Sequence, residues 1–261
     1  MKKNIKNTVD IIMPNYNKFN FLNQAIHSVI HQSYKNWKLY IIDDNSKDLS
    51  KNILGKFKKN KKINIYYLKQ NKGPAFCRNF GIKKSSSNMI AFLDSDDFWP
   101  KNKLQTQLKF MFKNNIEFSF TDYFSFYQKN KKIKKIGKTN ILKKFNFNTF
   151  IKNSSINTST MIINRKILKN IRFKNLKKHE DYIFKCEIFK KNKGLEAIKF
   201  EKTFAHYRIL QNSRSNDKLK SIYYLWKYNQ KFNNLSFVKN FISLLSIIKN
   251  SIKKYGLKMG V

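Results

Sequence analysis

Acidic residues are scarce in this chain, and almost half of them are clustered. The 261 residues include 55 Lys and Arg against 15 Asp and Glu, which gives a net charge of +40. Seven of the fifteen acids form three groups, at Asp43-Asp44, Asp94-Ser95-Asp96-Asp97 and Glu180-Asp181. Because neighbouring like charges repel, such grouping costs free energy unless a cation or hydrogen-bond donors offset it. The first hypothesis is therefore a metal-dependent site.

The cluster at 94–97 has the chemistry of such a site. It places several carboxylate oxygens in one tight turn directly after an apolar segment. Hard divalent cations such as Mg²⁺ prefer these ligands and are often completed by substrate phosphates, so a cation here would neutralise a departing diphosphate. The alternative is a structural turn whose acids cap the helix predicted after Pro100.

The other two clusters each allow two interpretations. Carboxylates at Asp43-Asp44 can accept hydrogen bonds from a base or a ribose, but the segment also suits an ordinary turn and helix cap. Glu180-Asp181 opens a predicted helix, where the helix dipole favours acids in any case. A carboxylate at the lip of a cleft can instead take a proton from an attacking hydroxyl.

Alternating strands and helices predict how these clusters are positioned. Apolar runs predict strands at 9–13, 37–42, 63–68 and 89–93, and helical spacing predicts helices at 19–32, 49–57, 75–82 and 101–113. This alternation predicts a mostly parallel sheet covered by helices on both faces. Ligands bind such sheets beyond the carboxyl ends of the strands. Residues 15–17, 43–44 and 94–97 follow strands and are therefore expected to line one crevice.

The second half of the chain is less regular. It predicts strands at 117–126, 157–164 and 204–210, a basic hairpin at 129–138, and helices at 165–170 and 180–191. Beyond 216 the pattern is helical, with a break near Asn233-Asn234. The last helix carries an apolar stripe and several lysines, so two interpretations stay open. It is either a helix packed on the domain or a basic amphipathic helix on an anionic membrane surface.

Composition limits the class of protein. A hydrophobic fraction of 41% is sufficient for a core, and no run reaches the roughly 18 apolar residues of a membrane span. The two cysteines, Cys77 and Cys186, favour buried free thiols in a reducing compartment, and no export signal is evident, so a cytoplasmic protein is expected. The charge reflects either a general Lys bias or attraction to anions. No nucleic-acid-binding motif is present, so nucleic acid is not an expected partner.

Several segments together resemble the family 2 inverting glycosyltransferases, which have the GT-A fold. The specific matches lie at 9–17, 25–34, 41–46, 71–75, 78–81 and 92–100, and weaker ones at 158–161, 179–182, 206–208 and 212–213. The resemblance implies a Rossmann-like, mostly parallel central sheet flanked by helices, with a helical C-terminal tail. It covers residues 9–215. The sequence departs from the family pattern in one place, because no glycine precedes His179. This departure lies next to the segment that matches the family's general base.

The resemblance also implies roles for individual residues. The residues implied to bind the nucleotide-sugar are Pro14, Tyr16, Asp43, Asp44, Arg78 and Asp94. Either Asp96 or Asp97 would ligate the metal, and Asp181 matches the general base. Glu180 and Thr160 fall on the acceptor side. His206 is interpreted as a packed strand histidine, with a metal or phosphate contact as the alternative.

The expected function is transfer of a sugar from a nucleoside diphosphate donor, UDP-based, to a hydroxyl acceptor with inversion. The implied cofactor is Mg²⁺ or Mn²⁺, and the acceptor a saccharide or lipid-linked saccharide in surface polysaccharide or lipopolysaccharide synthesis. The expected domains are 1–215, with a nucleotide-sugar half to about 125 and an acceptor half from 126, and a helical appendage at 216–261. The expected location is cytoplasmic or peripheral, on the inner face of an anionic membrane.

Three other functions are weighed against this one. A non-catalytic nucleotide-sugar or carbohydrate-binding module would share the fold but has no need for Asp181. A sugar nucleotidyltransferase is expected to carry a Gly-rich loop after the first strand, whereas residues 14–18 contain no glycine. A basic surface-adhesion protein would bind membranes without turning over a donor.

Overall fold

The computed structural model describes residues 7–129, 132–138, 142–210 and 217–255. Within these ranges, nine strands form a single sheet flanked by helices, with two further helices at the C-terminal end. This architecture confirms the predicted α/β class. The weakly matched residues 212–213 and the basic N-terminus at 1–4 lie outside the described residues.

The strands are β1 Val9–Asn15, β2 Trp37–Asp43, β3 Ile63–Tyr67, β4 Met89–Phe92, β5 Phe118–Lys129, β6 Lys132–Lys138, β7 Lys144–Phe145, β8 Ile162–Asn164 and β9 Ala197–Arg208. The helices are α1 Phe19–Ile30, α2 Ser50–Gly55, α3 Pro74–Lys84, α4 Lys103–Lys113, α5 Phe147–Phe150, α6 Glu180–Lys191, α7 Lys218–Asn233 and α8 Phe237–Tyr255. The order of the strands in the sheet is β3-β2-β1-β4-β8-β5-β9-β7, and β6 pairs with β5.

The first four strands form the parallel half of the sheet. β1 pairs in parallel with β2 and β4, and β2 pairs in parallel with β3. All seven residues of β1 are buried, as expected for a central strand covered on both faces. In the sheet, β2 and β3 lie on one side of β1, and β4 lies on its other side. The loops after β1 and β4 therefore diverge and open the crevice in which ligands of such sheets bind.

The sequence explains the formation of two helices, α1 and α3, that flank the parallel half of the sheet. In α1, Leu22, Ala25, Ile26 and Val29 are buried at the predicted helical spacing. α3 starts at Pro74, whose fixed φ suits a first helical position. Gly73 precedes it with a φ of +83°, a left-handed value that favours glycine.

The second half of the sheet is mixed. The predicted basic hairpin is confirmed, because β5 pairs antiparallel with β6. β8 lies antiparallel between β4 and β5, while β9 runs parallel to β5. The last strand begins at Ala197 instead of the predicted 204, and neither β7 nor α5 was predicted.

The predicted strand at 157–164 was wrong in its first part. Residues Thr158–Thr160 form a 3₁₀ turn, and only Ile162–Asn164 are a strand. The Asn157 side chain accepts a hydrogen bond from the N–H of Ser159 at 2.7 Å, which starts the turn. The β-branched residues therefore gave a strand-like pattern, while a local side-chain hydrogen bond determined the conformation.

Close contact between α3 and the sheet leads to a stability prediction. A Cβ at Gly81 would stand 2.6 Å from Cγ2 of Ile12, a fully buried residue of β1. We expect Gly81→Ala to lower the free energy of unfolding by about 1–3 kcal/mol through overpacking. Gly55→Ala is the matched control, because nothing lies within 4 Å of the added Cβ. Denaturant midpoints compare the two; equal effects would contradict the close approach.

The C-terminal helices form a hairpin with the predicted break. Asn234 adopts a left-handed conformation between α7 and α8, with φ of +53°. No helix in the described ranges combines the length and hydrophobicity needed to cross a bilayer. Cys77 and Cys186 are free and buried, as the sequence predicted.

Candidate active site

The loops after β1 and β2 are held together by Asp43. Its fully buried carboxylate accepts hydrogen bonds from Nδ2 of Asn15 at 2.8 Å and from Oγ and N–H of Ser46 at 2.6 and 3.0 Å. The side chain of Asn17 then accepts the N–H of Lys47 at 2.7 Å. The carboxylate of Asp43 thus bonds only to residues at the ends of β1 and β2, in the contacts given above. We therefore interpret Asp43 as a residue that positions its neighbours instead of touching a ligand.

Asp44 fixes a third loop at the same edge of the sheet. Its two carboxylate oxygens accept the backbone N–H groups of Lys72 and Gly73, at 2.7 and 2.8 Å. The positive φ of Gly73 belongs to this turn, which leads directly into α3. Asp44 thereby sets the start of the helix that carries Arg78.

The nucleotide-pocket residues implied at the end of β1 differ in exposure. Pro14 is buried within β1, in register with Ile42 of β2. Tyr16, two residues further on, has 43% of its surface exposed at the crevice edge. The ring of Tyr16 is thus accessible to a ligand, whereas Pro14 shapes the floor beneath it.

Arg78 joins Asp94, in the loop after β4, to Glu180 at the start of α6. Its guanidinium donates to Oδ1 of Asp94 at 2.8 Å and lies 3.4 Å from Oε1 of Glu180, while stacking 5.3 Å from the ring centroid of Phe173. Burial works against the guanidinium charge, but the ion pairs with Asp94 and Glu180 outweigh it and raise the pKa of Arg78. This cation therefore stays charged and connects β4 to α6.

Asp96 and Asp97 have opposite environments although they are adjacent. Asp97 is buried, and its carboxylate accepts the hydroxyl of Ser159 at 2.6 Å and the N–H of Arg208 at 3.0 Å. Burial, together with the charges of Asp96 and Asp94, raises the pKa of the Asp97 carboxyl well above its ordinary value. Asp97 is thus committed to the protein interior.

The carboxylate of Asp96 instead reaches the crevice. Its side chain is 21% exposed, and Oδ2 lies 2.8 Å from Nζ of Lys18 in the loop after β1. An ammonium group therefore stands against the oxygen that a metal would use. These contacts favour Asp96 over Asp97 as the residue that reaches a metal.

The donor set suits a metal that is shared with a substrate. No group of three or more His, Cys, Asp or Glu side chains is arranged to hold an ion within the described residues. Mg²⁺ and similar cations commonly use only one or two carboxylates, with waters and substrate phosphates completing the shell. Asp96, with Asp94 two residues away and 30% exposed, supplies hard oxygen ligands of this kind. The residues present therefore fit such a cation.

Asp181 lies at the start of α6, next to Glu180. Its Oδ2 accepts a hydrogen bond from Nζ of Lys185 at 2.7 Å and lies 3.4 Å from the hydroxyl of Thr158. The Asp181 side chain remains 39% exposed, whereas that of Lys185 is fully buried. Burial raises the pKa of the Asp181 carboxyl, but the charge and hydrogen bond of Lys185 outweigh it, so the pKa lies below its ordinary value. Asp181 is thus an ionised carboxylate that solvent or a ligand can reach.

The remaining predicted residues lie around this centre. Glu180 is buried against Arg78. Thr160 is fully buried, and its hydroxyl donates to the carbonyl of Asn157 inside the turn. His206 stacks on Phe98 with ring centroids 4.4 Å apart, which supports the packed-histidine interpretation.

Four side chains at the site were not assigned roles from sequence: Lys18, Ser159, Lys185 and Arg208. Lys185 follows Asp181 by four residues in a helix, so its ion pair is one that helical spacing predicts. Ser159 and Arg208 lie in weakly matched segments, and both bond to Asp97. Lys18 follows β1 in a loop, where sequence gives no signal of its partner.

Comparison with known proteins identifies the family. A sequence model described as "Glycosyl transferase family 2" matches residues 10–172, more than half of the chain. The chain belongs to glycosyl transferase family 2. The family 2 chain is 32% identical over 252 residues to the putative teichuronic acid biosynthesis glycosyltransferase TuaG of Bacillus subtilis, covering 96% of this chain and 98% of that protein.

A second relative has a more specific name. It is the UDP-Glc:alpha-D-GlcNAc-diphosphoundecaprenol beta-1,3-glucosyltransferase WfgD of Escherichia coli, 36% identical over 218 residues, covering 84% of this chain and 83% of that one. The resemblance to glycosyltransferases in the sequence is thus confirmed, and the family 2 chain is a glycosyltransferase.

Solved structures confirm the GT-A-like fold. TarS of S. aureus in complex with UDP-GlcNAc superposes with a TM-score of 0.68 at 17% identity, covering 94% of this chain and 73% of that chain. The mannosyltransferase PcManGT of Pyrobaculum calidifontis, in complex with GDP-Man and Mn²⁺, gives 0.67 at 12% identity, covering 92% and 69%. At these identities the likeness establishes the fold alone.

Proposed function

We propose that this glycosyltransferase moves a sugar from a UDP-sugar to a hydroxyl acceptor with inversion, in surface polysaccharide synthesis. The observation that carries the proposal is the ion-pair bridge Asp94–Arg78–Glu180. It brings the donor-side carboxylates of β4 beside Asp181, which neighbours Glu180 in the sequence. One crevice thus contains both a set of donor ligands and a candidate base.

In the donor site, we assign the base and ribose to the edge formed by Tyr16, Asp44 and Asp94. Tyr16 offers an accessible ring, and the partly exposed Asp94 offers a hydrogen-bond acceptor. A UDP donor is supported by the named donor of the E. coli relative and by the UDP-GlcNAc bound to TarS. Arg78 contributes a fixed positive charge near the phosphates.

Asp96 is the residue that we propose holds Mg²⁺ or Mn²⁺, with Asp94 nearby. The bound cation would neutralise charge that develops on the diphosphate leaving group. The Mn²⁺ bound with GDP-Man in the P. calidifontis enzyme supports this assignment. Lys18 provides a second positive charge at the same carboxylate, so it is placed to pair with a phosphate once the cation binds to Asp96.

Asp181 is the proposed base. Its carboxylate would take the proton of the acceptor hydroxyl, whose oxygen forms a bond to the anomeric carbon. The bond from that carbon to the diphosphate oxygen breaks at the same time, on the opposite side of the sugar, and UDP leaves. This in-line displacement inverts the anomeric centre. The lowered pKa keeps Asp181 in its basic, ionised form at working pH.

For the acceptor, we propose a saccharide or lipid-linked saccharide, as in the name of the E. coli relative. Residues 1–125 would form the donor half, 126–215 the acceptor half and 216–261 an appended helical unit. The enzyme would act on the cytoplasmic side of a membrane, peripherally. The free buried thiols of Cys77 and Cys186 are consistent with that reducing compartment.

A panel of UDP-sugars tests the proposal. Thermal stabilisation by one donor, strengthened by Mn²⁺, and release of UDP in the presence of an acceptor are the expected results. The product should have the opposite anomeric configuration to the donor by NMR. Donor binding without any turnover would favour the non-catalytic binding module instead.

Replacing Asp96 or its neighbour Asp97 by Asn distinguishes the proposed metal ligand, Asp96, from the buried acid, Asp97. We expect Asp96→Asn to weaken Mn²⁺-dependent UDP binding at least tenfold and to abolish measurable transfer, since it removes the crevice-facing charge. Asp97→Asn should retain most of both activities, because the Asp97 side chain is buried and bonds to Ser159 and Arg208 instead of reaching the crevice. Calorimetric titration of UDP with and without Mn²⁺ measures this difference.

The pH dependence of the free energy of unfolding provides the control for the Asp96→Asn and Asp97→Asn variants. A raised folded-state pKa means that the Asp97 contribution to stability is present below its unfolded pKa and is lost as pH rises. The stability of Asp97→Asn relative to the wild type should therefore increase from pH 4 to pH 7. Equal loss of Mn²⁺-dependent binding in both variants would contradict the assignment of Asp96.

A further inference from the structure

The C-terminal helix α8 is attached to the protein by a mixed face, on which Leu244 is buried beside two polar side chains. Asn240 and Ser243 are fully buried. The side chain of Asn240 donates to the carbonyl of Trp226 at 3.0 Å and accepts from Asn229 at the same distance. The hydroxyl of Ser243 donates to the carbonyl of Ile151 at 2.6 Å. Surface helices normally turn most of their large apolar side chains towards the core, whereas α8 buries Asn240 and Ser243 there beside Leu244.

A stripe of other large apolar side chains on α8 is consequently left exposed. It consists of large side chains that are 41–69% exposed, at Phe237, Val238, Phe241, Ile242, Leu245 and Ile252. At 100° per residue these positions fall within one arc of about 140°. Contiguous apolar surface of this kind marks an interaction site.

The charge around the stripe identifies the partner. From residue 218 to the end of the chain there is no Asp or Glu, while lysines recur throughout. Lys239 and Lys249 are exposed on α8, and helix geometry places Lys249 just inside one edge of the stripe and Lys239 about 60° beyond that edge. An apolar face edged by lysines fits a bilayer with anionic headgroups. A second copy of this chain fits poorly, because it too carries a net charge of +40.

The helical hairpin also lies next to the site. His179, which precedes Glu180 and Asp181, contacts the carbonyl and hydroxyl oxygens of Ser221 in α7 through Nε2, at 2.8 and 2.9 Å. Tyr182 donates to the side chain of Asn229 at 2.8 Å. The stripe is therefore rigidly connected to the helix that carries the proposed base.

We propose that the outward face of α8 binds an anionic lipid surface and thereby holds Asp181 at the level where a lipid-linked acceptor is presented. The binding surface is the stripe defined above together with Lys239 and Lys249. The second half of this inference rests on the proposed function, whereas the lipid binding itself does not.

Vesicle co-sedimentation of the full chain tests the inference. Vesicles of phosphatidylcholine with 30% phosphatidylglycerol, on the order of physiological anionic content, should bind the wild type at 0.1 M salt, and phosphatidylcholine vesicles should bind it at least tenfold more weakly. Phe241→Gln/Leu245→Gln should reduce binding to anionic vesicles at least tenfold. Leu49→Gln is the matched control, since Leu49 is 54% exposed on a different surface against 51% for Leu245, and should bind as the wild type does.

Three outcomes would overturn the inference. They are no binding of the wild type to anionic vesicles, equal binding by the double variant, and a dimer in light scattering that the double variant abolishes. Transfer to a water-soluble acceptor is measured in parallel. Loss of vesicle binding with normal transfer would refute only the membrane inference, whereas vesicle binding without any transfer would refute only the proposed function.

Discussion

Replacing Arg78 by Met is expected to lower the free energy of unfolding by about 3–5 kcal/mol and to abolish transfer. The guanidinium is buried and neutralises both Asp94 and Glu180, which come from opposite halves of the crevice. Its removal leaves two carboxylates close together without a cation, and like charges at that separation repel. Denaturant unfolding followed by tryptophan fluorescence measures the loss.

Two further variants make the Arg78 prediction specific. Arg78→Lys should rescue only a small part of the stability, because one ammonium group cannot reproduce two directed contacts. Arg78→Met/Glu180→Gln should recover a measurable part, since it also removes one of the repelling charges. A stability loss below about 1 kcal/mol for Arg78→Met, typical of an exposed ion pair, would show that the bridge does not hold the crevice together.

Replacing Asp181 by Asn is expected to lower kcat for transfer by about 10²–10⁴-fold while UDP binding stays unchanged. Asn is nearly the same size and keeps a hydrogen bond to Lys185, but it cannot accept the hydroxyl proton. UDP affinity by calorimetry and single-turnover transfer rates separate binding from chemistry. Full activity in this variant would remove the base assignment.

Lys185 provides the control, because Asp181→Asn leaves that buried ammonium without its counter-ion. The double variant Asp181→Asn/Lys185→Met should regain stability without regaining transfer. Lys185→Met alone should raise the pKa of Asp181, since an opposite charge at hydrogen-bond distance is lost. Its transfer rate should then fall at a higher pH than that of the wild type as the solution is acidified. An unshifted acid limb would contradict the role of Lys185.

The first half of the chain, up to β4, was predictable because its signals are local and repeated. Apolar runs that end in polar residues gave β1 to β4 to within two residues, and 3.6-residue spacing gave α1. Carboxyl ends of parallel strands meet at one edge, so the convergence of Asp44 and Asp94 followed from topology. The second half of the sheet has mixed pairing and short elements such as β7 and β8, which periodicity does not resolve.

Individual roles at the site were less accessible to sequence. Asp97 matches the same motif as Asp96, and only its buried partners Ser159 and Arg208 distinguish the two. The bridge from Arg78 to Glu180 spans 102 residues of sequence, so no local pattern reports it. The orientation of α8 likewise depends on the polar contacts of Asn240 and Ser243, whereas an apolar stripe alone is compatible with either packing or membrane binding.

Anomalous diffraction from crystals grown with UDP and Mn²⁺ tests the central claim most directly, namely that Asp96 and Asp181 face one donor. The account predicts a single strong manganese peak within about 2–2.5 Å of a carboxylate oxygen of Asp96, bridged to the diphosphate. The carboxylate of Asp181 should lie across the same crevice, on the side where a sugar attached to the diphosphate would be attacked. A manganese peak away from Asp96, or a diphosphate bound outside the crevice that Asp181 lines, would contradict it.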